Sequence, residues 1–218
     1  MRQDRVAPRR HGARSKGIPA LDGIRAVAVG LVLAEHGGIP GVSGGFLGVD
    51  VFFVLSGFLI TSLLLDELRR TGRIALADFW IRRARRLLPA LIVMVLAVVA
   101  ARTVFPTEAI TTLRDDAVAV FFWVANWAFV AQRTDYFSQG SPPSPLQHTW
   151  SLGVEEQYYL FWPLLVIAVA ALFGARARWA VFALATAGVA GSAAGAIVLA
   201  SDVNRVYFGT DTRVQALL

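Results

Sequence analysis

The chain has no cysteine among its 218 residues. That excludes disulfides, thiolate nucleophiles, an acyl-cysteine enzyme and Cys-based metal sites. Charge is scarce as well. Charged residues make up 17% of the sequence, where soluble domains carry about 25%. Hydrophobic residues reach 56%, against about 45–50% in soluble domains. Scarce, clustered charge argues for a chain that crosses a membrane several times, not for a soluble domain with one anchor. Acids are the rarer sign: 15 face 21 bases, and the net charge of +6 is almost all arginine. In a membrane protein such an excess is first a signal of topology. No basic stretch alternates with aromatic residues in a polar module, so nucleic acid is not an expected partner. No cluster of ligating side chains asks for a metal.

What is abundant is apolar sequence, and residues 44–60, GGFLGVDVFFVLSGFLI, are its densest stretch. The run from residue 46 to 65 matches the roughly 20 residues a transmembrane helix needs. One acid, Asp50, sits inside it. A carboxylate there is costly and is usually kept for a site or a partner. Gly44, Gly48, Ser56 and Gly57 are small enough to let a second helix come close.

In chain order, residues 1–17 hold six basic residues and one acid. They read as a disordered cytoplasmic tail with no cleaved signal peptide. Residues 19–36 read as the first membrane helix. Arg25 and His36 are eleven residues apart. That is close to three whole turns, so both lie on one helix face about 16 Å apart. Asp22 can pair with Arg25 at i,i+3. The face is either a site, or an arginine reaching for one interface and a histidine capping the other end. Residues 66–86 carry seven arginines and place that loop on the side of the N-terminus. Phe79 and Trp80 precede RRARRLLP, as in an interfacial helix leading into a third span over residues 87–104, with Pro89 in its first turn. Arg83 and Arg86 are i,i+3 neighbours whose guanidinium forks could meet on one anion, phosphate foremost. Lipid headgroup binding or simple topogenesis would use the same residues.

Residues 113–132 read as a fourth span in which Asn126 should face protein. A fifth helix starts at residue 148, HTWSLGVEEQYYLFWPLL, and Pro163 should kink it. His148, Ser151, Glu155, Tyr159 and Trp162 fall on one face of it, while Glu156 points elsewhere. An acidic helix start and an interfacial aromatic belt would explain the same residues. Residues 179–200 give a sixth span, and residues 213–218 read like the start of a seventh. Simple alternation leaves Arg176 and Arg178 outside, against the charge rule. A half-spanning segment would remove that conflict.

Taken together, IPALDGIRAVAVGLVLAEH, GGFLGVDVFFVLSGFLIT, FWIRRARRLLPAL, SPLQHTWSLGVEEQYYLFWPLL and YFGTDTRVQALL resemble, in order from residue 18 to 218, the acyltransferase family 3 of integral-membrane O-acyltransferases. The resemblance implies an all-α, polytopic transmembrane helix bundle of about ten helices. About six spans and the start of a seventh are present here, after the tail of residues 1–17. It implies transfer of an acyl group, often acetyl, from cytoplasmic acyl-CoA to a hydroxyl of a carbohydrate or glycolipid. The expected setting is a bacterial cytoplasmic membrane, multi-pass, with the N-terminus inside and membrane lipid around the chain. His36 becomes the leading catalytic candidate, with Arg25 and Asp22 beside it and Glu155 orienting a histidine or the sugar. The Arg-x-x-Arg element matches Arg83 and Arg86, with Arg82 beside them, and should engage the phosphates of the donor. Asp50, His148, Trp150, Ser151, Asp211 and Arg213 fall in the elements expected to hold the acceptor. A proton-coupled transporter is the rival reading, since intramembrane Asp, Arg, His and Glu also serve an ion pathway. An inactive, truncated remnant of the acyltransferase is the third.

Overall fold

The computed structural model describes residues 19–41, 44–137 and 142–218, so the basic tail lies outside the described residues. Among them every regular element is helical. The chain forms two compact units, Met1–Gly48 and Val49–Leu218.

The first unit contains α1 (Pro19–His36), with the bounds the sequence suggests. Proline suits a first helical position because its missing N–H would have no partner there. Asp22 in the first turn complements the positive end of the helix dipole. The helix stops at Gly38, whose φ of 67° is left-handed. There Gly38 N–H bonds to the Glu35 carbonyl and Ile39 N–H to the Ala34 carbonyl, both at 3.0 Å. This is a Schellman ending, which satisfies carbonyls the helix leaves over.

The second unit holds α2 (Leu47–Thr71), which starts at the unit boundary, then α3 (Leu76–Ala100), α4 (Thr107–Ile110), α5 (Leu113–Phe121) and α6 (Ala125–Ala131). It continues with α7 (Trp150–Phe173), α8 (Ala177–Val198), α9 (Val203–Phe208) and α10 (Thr210–Arg213). α7 is the central element, and Trp150, Val154, Tyr158, Trp162 and Val166 of it are buried. Its neighbours can be oriented from their bonds. Ser56 and Thr61 of α2 meet Glu155 and Trp162, so α2 runs parallel to α7. Met94 and Trp80 of α3 meet His148 and Tyr159, so α3 runs antiparallel to it. α8 turns back through a 3₁₀ turn at Gly174–Arg176. Arg69 and Arg178 line one cavity with Gly174, so the α2–α3 link and the α7–α8 turn lie at the same end. Asp50 and His148 lie at the other. Outward-facing side chains are apolar, Phe58, Leu96, Phe161 and Phe182 among them, as a lipid-facing surface would be.

Several expected spans change. The second helix runs beyond residue 65 to Thr71, where Arg69 and Arg70 favour its negative dipole end and pair with Asp66 at 3.3 and 3.1 Å. The interfacial helix and the third span are one helix, and Pro89 is interior and exposed rather than in a first turn. The fourth span is broken. α5 and α6, of nine and seven residues, are separated by Trp123 at φ 59°. At 1.5 Å per residue neither exceeds about 14 Å, half of a hydrocarbon core of about 30 Å. The break follows from polarity. The Trp123 carbonyl and the Asn126 amide are both drawn to Gln157 of α7, roughly 10 Å from the start of that helix. The start of a seventh span is also not formed. α9, α10 and a 3₁₀ turn at Val214–Ala216 fold back into the unit, and the Leu217 carbonyl lies where a side chain at Gly57 would be. By length and composition two helical stretches, Leu47–Thr71 and Gln147–Val198, are able to cross a membrane, and the second contains α7 and α8.

Gly57→Ala should therefore lower stability by about 1–3 kcal/mol, since the added methyl meets the backbone of Leu217. Gly191→Ala in α8 meets nothing within 4 Å and should be neutral or stabilising. Thermal unfolding of both variants in detergent tests the pair.

Candidate functional site

The polar run in α7 organises the second unit. Glu155, Glu156 and Gln157 are consecutive, so they leave the helix about 100° apart and bond to different partners. Glu155 accepts from Ser56 Oγ of α2 at 2.8 Å. Glu156 accepts from Arg83 of α3 at 2.6 Å. Gln157 donates to the Trp123 carbonyl at 2.7 Å and to Asn126 Oδ1 at 2.9 Å. It also accepts from Trp127 at 3.1 Å and Thr210 at 2.6 Å.

Arg83 is held on several sides. Its guanidinium carbon lies 3.4 Å from the centre of the Tyr159 ring. Its Nε is buried without a hydrogen-bond partner. Beside it a cleft of about 490 Å³ opens between α3, α6 and α7, lined by Trp80, Trp127, Glu156, Gln157 and Tyr159. Arg82 and Arg86 are exposed. Of the pair expected to meet on one anion, Arg83 is held by a carboxylate of the chain and Arg86 is exposed.

The expected stripe on α7 lies along the seam between α2 and α3. Glu155 and Trp162 reach α2, Tyr159 lies under Arg83, and His148 Nε2 is 3.2 Å from Met94 Sδ of α3. Ser151 bonds back to the His148 carbonyl at 3.5 Å. Nothing in the spacing marked Glu156 and Gln157 as the partners of Arg83 and of the Trp123–Asn126 turn.

A second cluster sits at the opposite end from the guanidinium-rich links. Arg213 bonds Asp50 at 2.6 Å across 163 residues of chain. Its guanidinium lies 5.0 Å from the Tyr207 ring and 5.8 Å from the rings of Phe53 and Trp150. Asp50, Trp150 and Arg213 are thus brought together. Asp211 is not part of this group: Arg205 grips it with two bonds of 2.9 and 2.7 Å, over the Trp127 ring. Arg205 and Tyr207 escaped the sequence reading.

In the first unit, Asp22 and Arg25 pair at 3.6 Å, and Glu35 accepts from the Gly44 amide at 3.2 Å. His36 closes α1, eleven residues after Arg25. Its ring lies outside the described side chains.

The Asp50–Arg213 pair yields a direct test. Either single alanine substitution leaves a charge without its partner in a largely apolar place. Each should cost on the order of 3 kcal/mol, while the double variant should cost much less than the sum. Unfolding of the three variants in detergent gives the coupling, and additive losses would contradict it.

The family described as "Acyltransferase domain" matches residues 18–209. The chain is 43% identical over 201 residues to "O-acetyltransferase OatA" of Staphylococcus aureus (strain NCTC 8325 / PS 47), covering 92% of this chain and 33% of that protein. It is 42% identical over 217 residues to "Peptidoglycan O-acetyltransferase OatA" of Listeria monocytogenes, covering 93% and 33%. The chain spans about a third of the length of these curated relatives. No solved structure matches it. A match over nearly the whole chain, joined to two relatives above 40% identity, makes the chain a member of the acyltransferase domain family.

Proposed function

We propose that the chain is the membrane part of an O-acyltransferase that moves an acyl group, acetyl foremost, from cytoplasmic acyl-CoA to a carbohydrate hydroxyl at the cell surface. Peptidoglycan is the leading acceptor, since the Listeria relative carries that word in its name. Family membership gives the reaction class. The observation that carries the reading further is the asymmetry of the second unit. Arginines of the α2–α3 and α7–α8 links gather at one end, and the Asp50–Arg213 pair with His148 lies at the other. A donor on one side and an acceptor on the other need such a division.

The arginine-rich end is cytoplasmic by the positive-inside rule, and the N-terminus is on the same side. The broken α5–α6 pair re-enters without crossing, so Arg176 and Arg178 return to the cytoplasmic side and the charge conflict disappears. The exposed Arg82 and Arg86 bind donor phosphates. His36 is the general base, an imidazole suited to the task near neutral pH. It takes the proton of the acceptor hydroxyl as the oxygen attacks the thioester carbon. The ester C–O bond forms, the C–S bond breaks, and the CoA thiolate leaves and is protonated. Arg25, held by Asp22, lies three turns away on the same helix. Asp50, Trp150 and Arg213 shape the acceptor end, with Glu155 fixed by Ser56.

His36→Ala should reduce transfer of acetyl label from acetyl-CoA to cell-wall glycan by about a thousandfold at unchanged protein level. Full activity in that variant would remove the base assignment. Topology is testable cleanly because the chain has no native cysteine. A membrane-impermeant maleimide should label Ser201→Cys in intact cells, and Arg73→Cys only after permeabilisation. The reverse pattern would invert the orientation.

A further inference from the structure

We infer that the cleft beside Arg83 takes the uncharged arm of the donor, its acyl thioester and the amides behind it, and not its phosphates. This deepens the acyl-CoA reading and rests on it. The charge balance comes first. Arg83 is matched by Glu156 at 2.6 Å, so the pair has no net charge to offer a polyanion. A phosphate at this guanidinium would have to displace Glu156 or sit against its carboxylate. Neither is cheap where both side chains are largely shielded from water. Geometry gives the same result. One face of the guanidinium is covered by Tyr159 at 3.4 Å, and one of its terminal amino groups is held by Glu156. Its Nε–H is buried and has no hydrogen-bond partner among the described residues. One N–H suits one carbonyl oxygen, of an amide or a thioester.

The walls agree with a neutral, extended ligand. The cleft is formed mostly by apolar groups, Trp80, Leu87, Trp123, Trp127 and Leu160 among them. Its volume of about 490 Å³ lies within the range of small-molecule pockets, about 300–1,000 Å³. Glu156 and Gln157 add acceptors and a donor at its polar edge, the complement of an amide chain. Arg82 and Arg86, exposed on the same helix within three turns of its start at the arginine-rich end, are left for the phosphates. The helix thus separates two tasks: charge recognition by exposed arginines, and recognition of the neutral arm by a neutralised one.

Truncating the donor separates the alternatives. Equilibrium dialysis of the full chain in detergent would compare acetyl-labelled acetyl-CoA with acetyl-pantetheine, which has the arm and no phosphate. Arg86→Gln should weaken acetyl-CoA about tenfold and leave acetyl-pantetheine unchanged within twofold. Arg83→Gln should weaken both about equally. Ala84→Leu, which fills the cleft without touching the ion pair, should also weaken both, and it stands in if Arg83→Gln does not fold. A loss confined to acetyl-CoA in Arg83→Gln would make Arg83 a phosphate ligand and overturn the inference. Unchanged binding of both compounds to Ala84→Leu would remove the cleft from the donor site. If the wild type binds acetyl-CoA but not the truncated donor, the inference fails while the acyl-CoA reading stands. If it binds neither, both fail.

Discussion

Three polar side chains in a row on an apolar helix constrain everything around them. Glu155, Glu156 and Gln157 cannot all face water, and in a membrane-facing bundle none of them can face lipid cheaply. Being about 100° apart, they need partners on three sides. Ser56, Arg83 and the Trp123–Asn126 turn supply them. The position of α7 relative to α2, α3 and α6 is therefore fixed by bonds as well as by apolar contact. Between apolar helices in lipid, contact alone gives little preference for one rotation over another.

The same logic explains why a stretch that looks like a span is not one. α6 turns its polar edge to Gln157, and α9–α10 bring Thr210 to the same amide and the Phe208 carbonyl to Asn126. Two short segments enter from one end and stop about 10 Å along α7, in its first third. Backbone that is not regular helix is tolerated at such depth only where protein covers it. Asn126 and Phe208 are fully buried here. Two pairs of partly buried charges are closed in this unit, Arg83 with Glu156 and Asp50 with Arg213, while the buried Asp116 is held by Thr112, Gln132 and Ser144. That arrangement favours fixed architecture and binding over the chain of exchangeable groups a proton carrier would need.

The helices whose ends are marked by local chemistry were legible. α1 begins at a proline and ends at a left-handed glycine, and both signals stand in the sequence. The break at Trp123 was not legible, because residues 113–132 are apolar enough to read as one span and no glycine or proline announces the turn. The acid Asp50 signalled a need for a partner. Its identity, 163 residues away, is tertiary information that no local spacing contains. The i,i+3 relation of Arg83 and Arg86 was correctly read as geometry. What the spacing could not show is that Glu156, from another helix, pairs with Arg83. Resemblance singled out Asp211 and Arg213 together, whereas each belongs to a different ion pair.

The length of chain between Asp50 and Arg213 bears on how the protein is made. During synthesis at about 5–20 residues per second, the start of α2 is made roughly ten to thirty seconds before its cationic partner. Closure of this pair is therefore a late assembly step, and a nascent chain stopped short of residue 213 would carry α2 with its acid unmatched.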